Sequence, residues 1–254
     1  MALVVHKPAG IATQAAHGIC SLETLLRDQL ADRTDYLAFP HRLDRPVSGV
    51  ILVATRKRAA RLLSDQFATR KVTKLYHAWV HGKIQPEQLG NWIDYVRKIP
   101  DKSRAEIVPS TAQGAQIAET QASLRAYDTN LNRSLLELSP RSGRMHQLRL
   151  QTSHRGFPII GDLQYGGTRL FDEVGDGNGF PDSQPYHFGA ELPKSPSRTV
   201  SVTSDQTSPP SARLDAPFPA ADRILLQAHQ ITFHDPINGA LKTVTASDES
   251  SQNV

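Results

Sequence analysis

Between residues 41 and 54 a charged loop runs directly into an apolar strand, and this junction constrains the chain more than any other stretch. His41-Arg42-Leu43-Asp44-Arg45-Pro46-Val47-Ser48-Gly49 is rich in charge and turn formers, and Val50-Ile51-Leu52-Val53-Ala54 follows without a polar residue. Such an apolar, largely β-branched run reads as a strand buried on both faces. Asp44, Pro46, Ser48 and Gly49, taken alone, make a turn. One acid between Arg42 and Arg45 also has a chemical reading. Nearby positive charge keeps a carboxylate ionised, an ionised carboxylate can act as a nucleophile, and guanidinium groups hold an anionic substrate. Local chemistry leaves both readings open.

The flanking sequence alternates between strand and helix patterns. Leu3-Val4-Val5 reads as a short strand ended by Lys7-Pro8-Ala9-Gly10. Ser21 is placed to cap a helix over 22–31, with Leu22, Leu25, Leu26 and Leu30 on one face. Residues 57–69 predict a second helix, turning Ala59, Leu62, Leu63 and Phe67 inward, and residues 143–155 a third. Strands are expected at 50–55, 75–80, 104–108, 116–127, 133–138 and 224–234. Many antiparallel-type strands with few helices make an α+β fold, a curved, mostly antiparallel mixed sheet with flanking helices. Residues 166–222, crowded with Gly, Pro, Ser and Asp, read as a long irregular insertion, partly mobile, within one domain over 1–246. Residues 247–254 read as a frayed tail.

Composition excludes several classes. No apolar run approaches the roughly 20 residues of a membrane helix, and the first residues lack a signal-peptide pattern. The single cysteine, Cys20, can neither close an internal disulfide nor anchor a cysteine zinc site. The ten histidines form no convincing ligand cluster. A monomeric, cytoplasmic protein without membrane contact is the expectation. Positive charge is concentrated: nine basic residues lie between Arg42 and Lys74 against Asp44 and Asp65. Arg141, Arg144, Arg149 and Arg155 occupy a segment with no acid. Such clusters suit a phosphate backbone, unless acids from other segments neutralise them.

Several segments, in order, resemble one family, the RluA-type pseudouridine synthases. His41-Arg42-Leu43-Asp44 followed by Ser48-Gly49 is similar to its catalytic motif, and Leu3 to Gly10 to its opening strand and turn. Phe67 through Gly82, with Arg70, Lys74 and Tyr76, resembles a second motif. Gly143-Arg144-Met145-His146-Gln147-Leu148-Arg149, continuing to Pro158-Ile159-Ile160-Gly161-Asp162 and Tyr165-Gly166, resembles a third. Leu226-Gln227-Ala228-His229 with Phe233-His234-Asp235-Pro236 resembles the closing strand. The chain departs from the pattern at Pro46-Val47, where the family usually has an acid and threonine. It departs again at Leu150-Gln151, where a valine–histidine pair is usual.

The resemblance implies isomerisation of a uridine within ribosomal or transfer RNA, with neither cofactor nor metal. It implies Asp44 as nucleophile, Arg144 as the partner that orients it, and Tyr76 as the ring against which uracil stacks. Arg42 would enter the space left by the everted base, and His41, Arg45, Lys74 and Arg149 would contact RNA or support the pocket, Arg149 being the reserve partner for Asp44. Two rivals remain open at this point. One is an RNA-binding protein of the same architecture without catalysis. The other is a carboxylate-dependent hydrolase of nucleosides or glycosides, which commonly needs a second carboxylate.

Overall fold

The computed structural model describes residues 1–170 and 223–246, together with the backbone of the pair 202–203. In chain order the first elements are β1 (Ala2–Lys7), α1 (Leu22–Gln29), β2 (Ser48–Ala54), α2 (Lys57–Ala68) and β3 (Thr73–His81). Then come β4 (Gly90–Lys98), β5 (Ala105–Ile107), β6 (Gln116–Asp128), β7 (Arg133–Pro140) and α3 (Gln147–His154). The last are β8 (Val202–Thr203), β9 (Leu226–His234) and β10 (Leu241–Thr245), and short 3₁₀ turns occupy Pro86–Gln88 and Leu163–Tyr165. The fold is α+β, as expected, and the strand pairs described below are antiparallel. Within the described residues, 1–72 and 228–246 form one compact unit, and 73–170 with 223–227 form another.

In the first unit β2 is the central strand, and its residues from Gly49 to Ala54 are all buried. It pairs with β1 in a register that sets Val5 against Ile51 and Lys7 against Gly49. On one face Val50, Leu52 and Ala54 meet Ala59 and Leu63 of α2, with Ile231 and Phe233 of β9 completing the core. Helix α1 starts where Ser21 predicts it. The Ser21 hydroxyl accepts from the Thr24 amide, and the Thr24 hydroxyl accepts from the Ser21 amide, so two orphan donors are satisfied reciprocally. Its Leu22 and Leu26 are fully buried.

The second unit is a strand array in the order β5-β4-β6-β7-β3, with α3 packed against β4 and β5. Val96, Ala105, Ala118, Leu150 and Tyr165 form its small apolar core. Strand β4 is absent from the sequence expectation for a physical reason. Its inward parity carries Trp92, Asp94 and Val96, while Ile93 points out at 51% exposure, so alternation of hydrophobicity is blurred. Strand β10 was likewise not foreseen, because it is mostly exposed and has no apolar face to reveal it. Helix α3 begins at Gln147 rather than 143, leaving Ser142 to His146 as a loop. The insertion expected at 166–222 and the tail expected at 247–254 lie almost wholly outside the described residues.

Gly49 is the tightest point of the first unit. Its φ is +121°, and an added Cβ would lie 2.2 Å from the carbonyl oxygen and 2.6 Å from the nitrogen of Ala228. Both neighbours are backbone and have little room to give. Gly49→Ala is therefore expected to destabilise the fold by at least about 2 kcal/mol, read as a lower urea midpoint.

Candidate active site

Residues 41–47 form a loop whose main chain is pinned from the segment following β1. The Thr13 hydroxyl, itself 1% exposed, donates to the Leu43 carbonyl at 3.0 Å and accepts from the Leu43 amide at 3.1 Å. Gly10 donates its amide to the Arg45 carbonyl at 2.9 Å, and the Arg45 guanidinium returns a bond to the Gly10 carbonyl at 3.0 Å. Asp44 sits between these two anchors. Its carbonyl accepts from the Val47 amide at 3.1 Å, closing a turn around Pro46. Leu43 and Val47 point into the core, Asp44 is half-buried, and Arg42 is exposed.

The cation facing this loop from within is Lys7, which the sequence reading did not single out. Its side chain is fully buried. Its ammonium donates to the carbonyls of Pro8 at 2.9 Å, Ile11 at 2.8 Å and Arg45 at 3.3 Å. Burial pulls its pKa from the usual lysine value down to about 7, and the Asp44 carboxylate acts in the opposite direction. The neighbouring His6 is pushed down to about 4, first by burial and then by Lys7, so it is neutral at physiological pH. The signal for Lys7 was present in the sequence: it shares strand parity with Leu3 and Val5, both inward-facing.

Of the other residues expected in this unit, His41 has a structural task. Its Nε2 accepts from the Leu52 amide at 2.9 Å, and its ring stacks on Phe67 with centroids 4.7 Å apart. A nitrogen accepting from an amide carries no proton, and this bond ties the loop to β2. Arg45 likewise uses its Nε on the Gly10 carbonyl.

The second unit holds Tyr76, Lys74, Arg144 and Arg149. Tyr76 is half-buried on β3, opposite Leu138 of β7. The Lys74 ammonium donates to the Ser142 carbonyl at 3.2 Å, and burial lowers its pKa to about 8. Arg144 lies in the loop before α3, with its Nε donating to the Ile117 carbonyl at 2.9 Å. That loop is shaped by Gln147, whose side-chain oxygen accepts from the Ser142 hydroxyl and from the Arg144 amide. The Gln147 amide group donates to the Glu119 carbonyl and the Thr120 hydroxyl. One turn later Gln151 accepts from Thr120 and donates to Asp94 and the Ala118 carbonyl. Two buried glutamines, four residues apart, thus fix the backbone that carries Arg144. A 290 Å³ groove beside Arg144 is lined also by Arg97, Lys98, Gln116 and Met145.

Arg149 corrects the sequence reading. It is 5% exposed, and its Nε and Nη2 bind both oxygens of Asp162 at 2.6 and 2.7 Å. The guanidinium also lies over the Tyr165 ring. An arginine held in this way is a poor candidate for phosphate contact. Arg155 is similarly committed to Asp94, at 2.9 Å. Two of the four arginines between 141 and 155 are therefore neutralised by acids from other segments. Among the described residues no group of three or more His, Cys, Asp or Glu side chains is gathered as a metal ion would require, and no helix is long and apolar enough to cross a membrane.

Comparison with known proteins gives the site a context. Residues 2–154 match the family model described as RNA pseudouridylate synthase. A tRNA pseudouridine synthase C of Haemophilus ducreyi is 36% identical over 220 residues, covering 80% of this chain and 88% of that protein. A ribosomal large subunit pseudouridine synthase C of Buchnera aphidicola is 32% identical over 164 residues, covering 65% of this chain and 51% of that protein. Among solved structures, human RNA Pseudouridylate Synthase Domain Containing 1 shares the fold with a TM-score of 0.64 at 23% identity, over 97% of this chain and 80% of that one.

Two expectations follow from the geometry. Replacing Lys7 by Met removes a group that holds a proton to about pH 10.5 when unfolded but only to about pH 7 when folded. Between those values the unfolded chain binds more protons, so wild-type stability relative to Lys7→Met is expected to rise with pH across that window. The rise is on the order of 1 kcal/mol per pH unit, measured by urea denaturation at pH 7, 8 and 9. Arg149→Met leaves the buried Asp162 without its partner and is expected to destabilise by about 3–5 kcal/mol, with the RNA affinity of the folded protein unchanged. A large affinity loss without destabilisation would restore the RNA-contact role.

Proposed function

Since the chain belongs to the RNA pseudouridylate synthase family, we propose that Asp44 is the nucleophile with which it isomerises uridines in transfer RNA. The observation that supports this most directly is that the family match over residues 2–154 contains Asp44, Tyr76 and Arg144, each in the motif expected of it. The clamped loop adds a physical argument. A nucleophile must be held in place before substrate arrives, and Thr13, Gly10 and Lys7 restrain the chain on both sides of Asp44.

In this reading the carboxylate adds to the uridine, the bond from ribose C1′ to uracil N1 breaks, the uracil turns so that its C5 bonds to C1′, and the carboxylate leaves again with its electron pair. The proton on C5 is lost and N1 takes one up, so nothing is oxidised and no outside group is transferred. Tyr76 offers uracil a ring face and a hydroxyl for the C5 proton. Arg144 supplies the charge-assisted contact that orients the carboxylate. Exposed Arg42 fills the space left by the everted base. Lys74 and His41 act as supports, through Ser142 and Leu52. Residues 1–246 act as one catalytic domain, in the cytoplasm, as a monomer.

Transfer RNA is favoured over ribosomal RNA because the Haemophilus ducreyi relative named for it matches 80% of the chain, against 65% for the relative named for the ribosomal large subunit. The test is tritium release from RNA labelled at uracil C5, followed by mapping of pseudouridine in total RNA. Asp44→Asn is expected to abolish release while the variant still folds and unfolds in one cooperative thermal transition. Near-normal turnover by that variant would remove Asp44 from the chemistry, and product found only in ribosomal RNA would reverse the choice of substrate.

A further inference from the structure

Helix α2 carries charge that its own fold does not require. Its inward side chains, Ala59 and Leu63, are absorbed by the core of the first unit. Around the rest of its first half stand Arg56 at the N-cap, Lys57 and Arg58 in the first turn, and Arg61 in the second, all exposed. None of these four side chains has a hydrogen bond or ion pair with a described residue. Asp65 is exposed four residues after Arg61, yet no ion pair joins them.

The arrangement runs against helix electrostatics. Peptide dipoles place positive charge at a helix N-terminus, where acids are favoured and cations are not. Helix α1 follows that rule, with Glu23 in its first turn bonded to Arg27 in its last at 2.7 Å. Helix α2 has no acid in its first turn and no side-chain cap. Lys57 with Arg61, and Arg58 with Arg61, are also at spacings where like charges repel. A surface that is self-repelling in the free protein is relieved by an outside polyanion.

We propose that Arg56, Lys57, Arg58 and Arg61 form a docking surface for the phosphate backbone of a folded RNA, apart from the residues assigned to the uridine chemistry. The inference rests on the reading of this chain as an enzyme of RNA. Three of the four cations are arginines, whose planar guanidinium pairs with phosphate in a bidentate manner. The surface contributes affinity and orientation and leaves the chemical step alone.

The test uses the full chain carrying Lys57→Gln, Arg58→Gln and Arg61→Gln together. The probe is unmodified transfer RNA transcript, bound in KCl from 50 to 200 mM. Each lost phosphate contact removes about 0.7–0.9 from the slope of log affinity against log salt, so a slope shallower by about 2–3 is expected. Turnover at saturating RNA is expected to be unchanged. An unchanged slope overturns the proposal, as does an unchanged slope accompanied by lost binding to phosphatidylglycerol vesicles, which would assign the surface to membranes. These results are separate from failure of the enzymatic reading, which would appear as a wild type that makes no pseudouridine in any RNA.

Discussion

The buried ammonium of Lys7 is the interaction on which the Asp44 loop depends. Three carbonyls, from Pro8, Ile11 and Arg45, converge on it. Carbonyl oxygens facing one another in a dry interior repel and need a donor. A lysine supplies three donors from one atom, so a single side chain gathers the turn after β1 and the loop before β2. The register that places Lys7 opposite Gly49 brings it beneath that loop. The negative charge of Asp44 in turn supports the ammonium against desolvation. The acid thus supports the lysine, although only the acid is a candidate for chemistry.

The second unit solves a similar problem with neutral groups. The loop 142–146 must hold Arg144 without entering the helix that follows it. Gln147 and Gln151 project from α3 and bind backbone and side chains of β4, β6 and the loop itself. Neutral amides avoid the desolvation that lowers Lys7 and Lys74, and each both donates and accepts. His146 completes the transition from loop to helix: its backbone is left-handed, and its ring nitrogen bonds the Tyr165 hydroxyl at 2.8 Å.

Strands and helices with a plain apolar period were legible from the sequence, as β2, α1 and α2 illustrate. The capping role of Ser21 was legible too, because capping is local chemistry. What was not legible depended on partners distant in sequence. Asp94 on an inward position hid β4, since the donors that satisfy its carboxylate, Gln151 and Arg155, lie about sixty residues away. The start of α3 was misplaced because Gln147 caps the preceding loop through its side chain, a bond that no periodicity announces. The individual residues Asp44, Tyr76 and Arg144 were legible only through ordered motifs. Their local sequences alone are equally those of a turn, a strand aromatic and a surface cation.

Charge shows the same division most sharply. By count, the segment from Arg141 to Arg155 and the segment from Arg42 to Lys74 are both basic and both suited to phosphate. In the structure the first is partly neutral, since Arg149 and Arg155 are bound by Asp162 and Asp94. Their guanidiniums serve packing as well, over Tyr165 and Trp92. The second segment contains Arg56, Lys57, Arg58 and Arg61, whose side chains point to solvent without an acid partner among the described residues. A cation already paired and desolvated has no counterion to release when RNA approaches, whereas a solvated cation exchanges its atmosphere for phosphate. The electrostatic footprint is therefore set by how each cation is buried and paired, and the helix that resists its own charge is the stronger place to look for RNA.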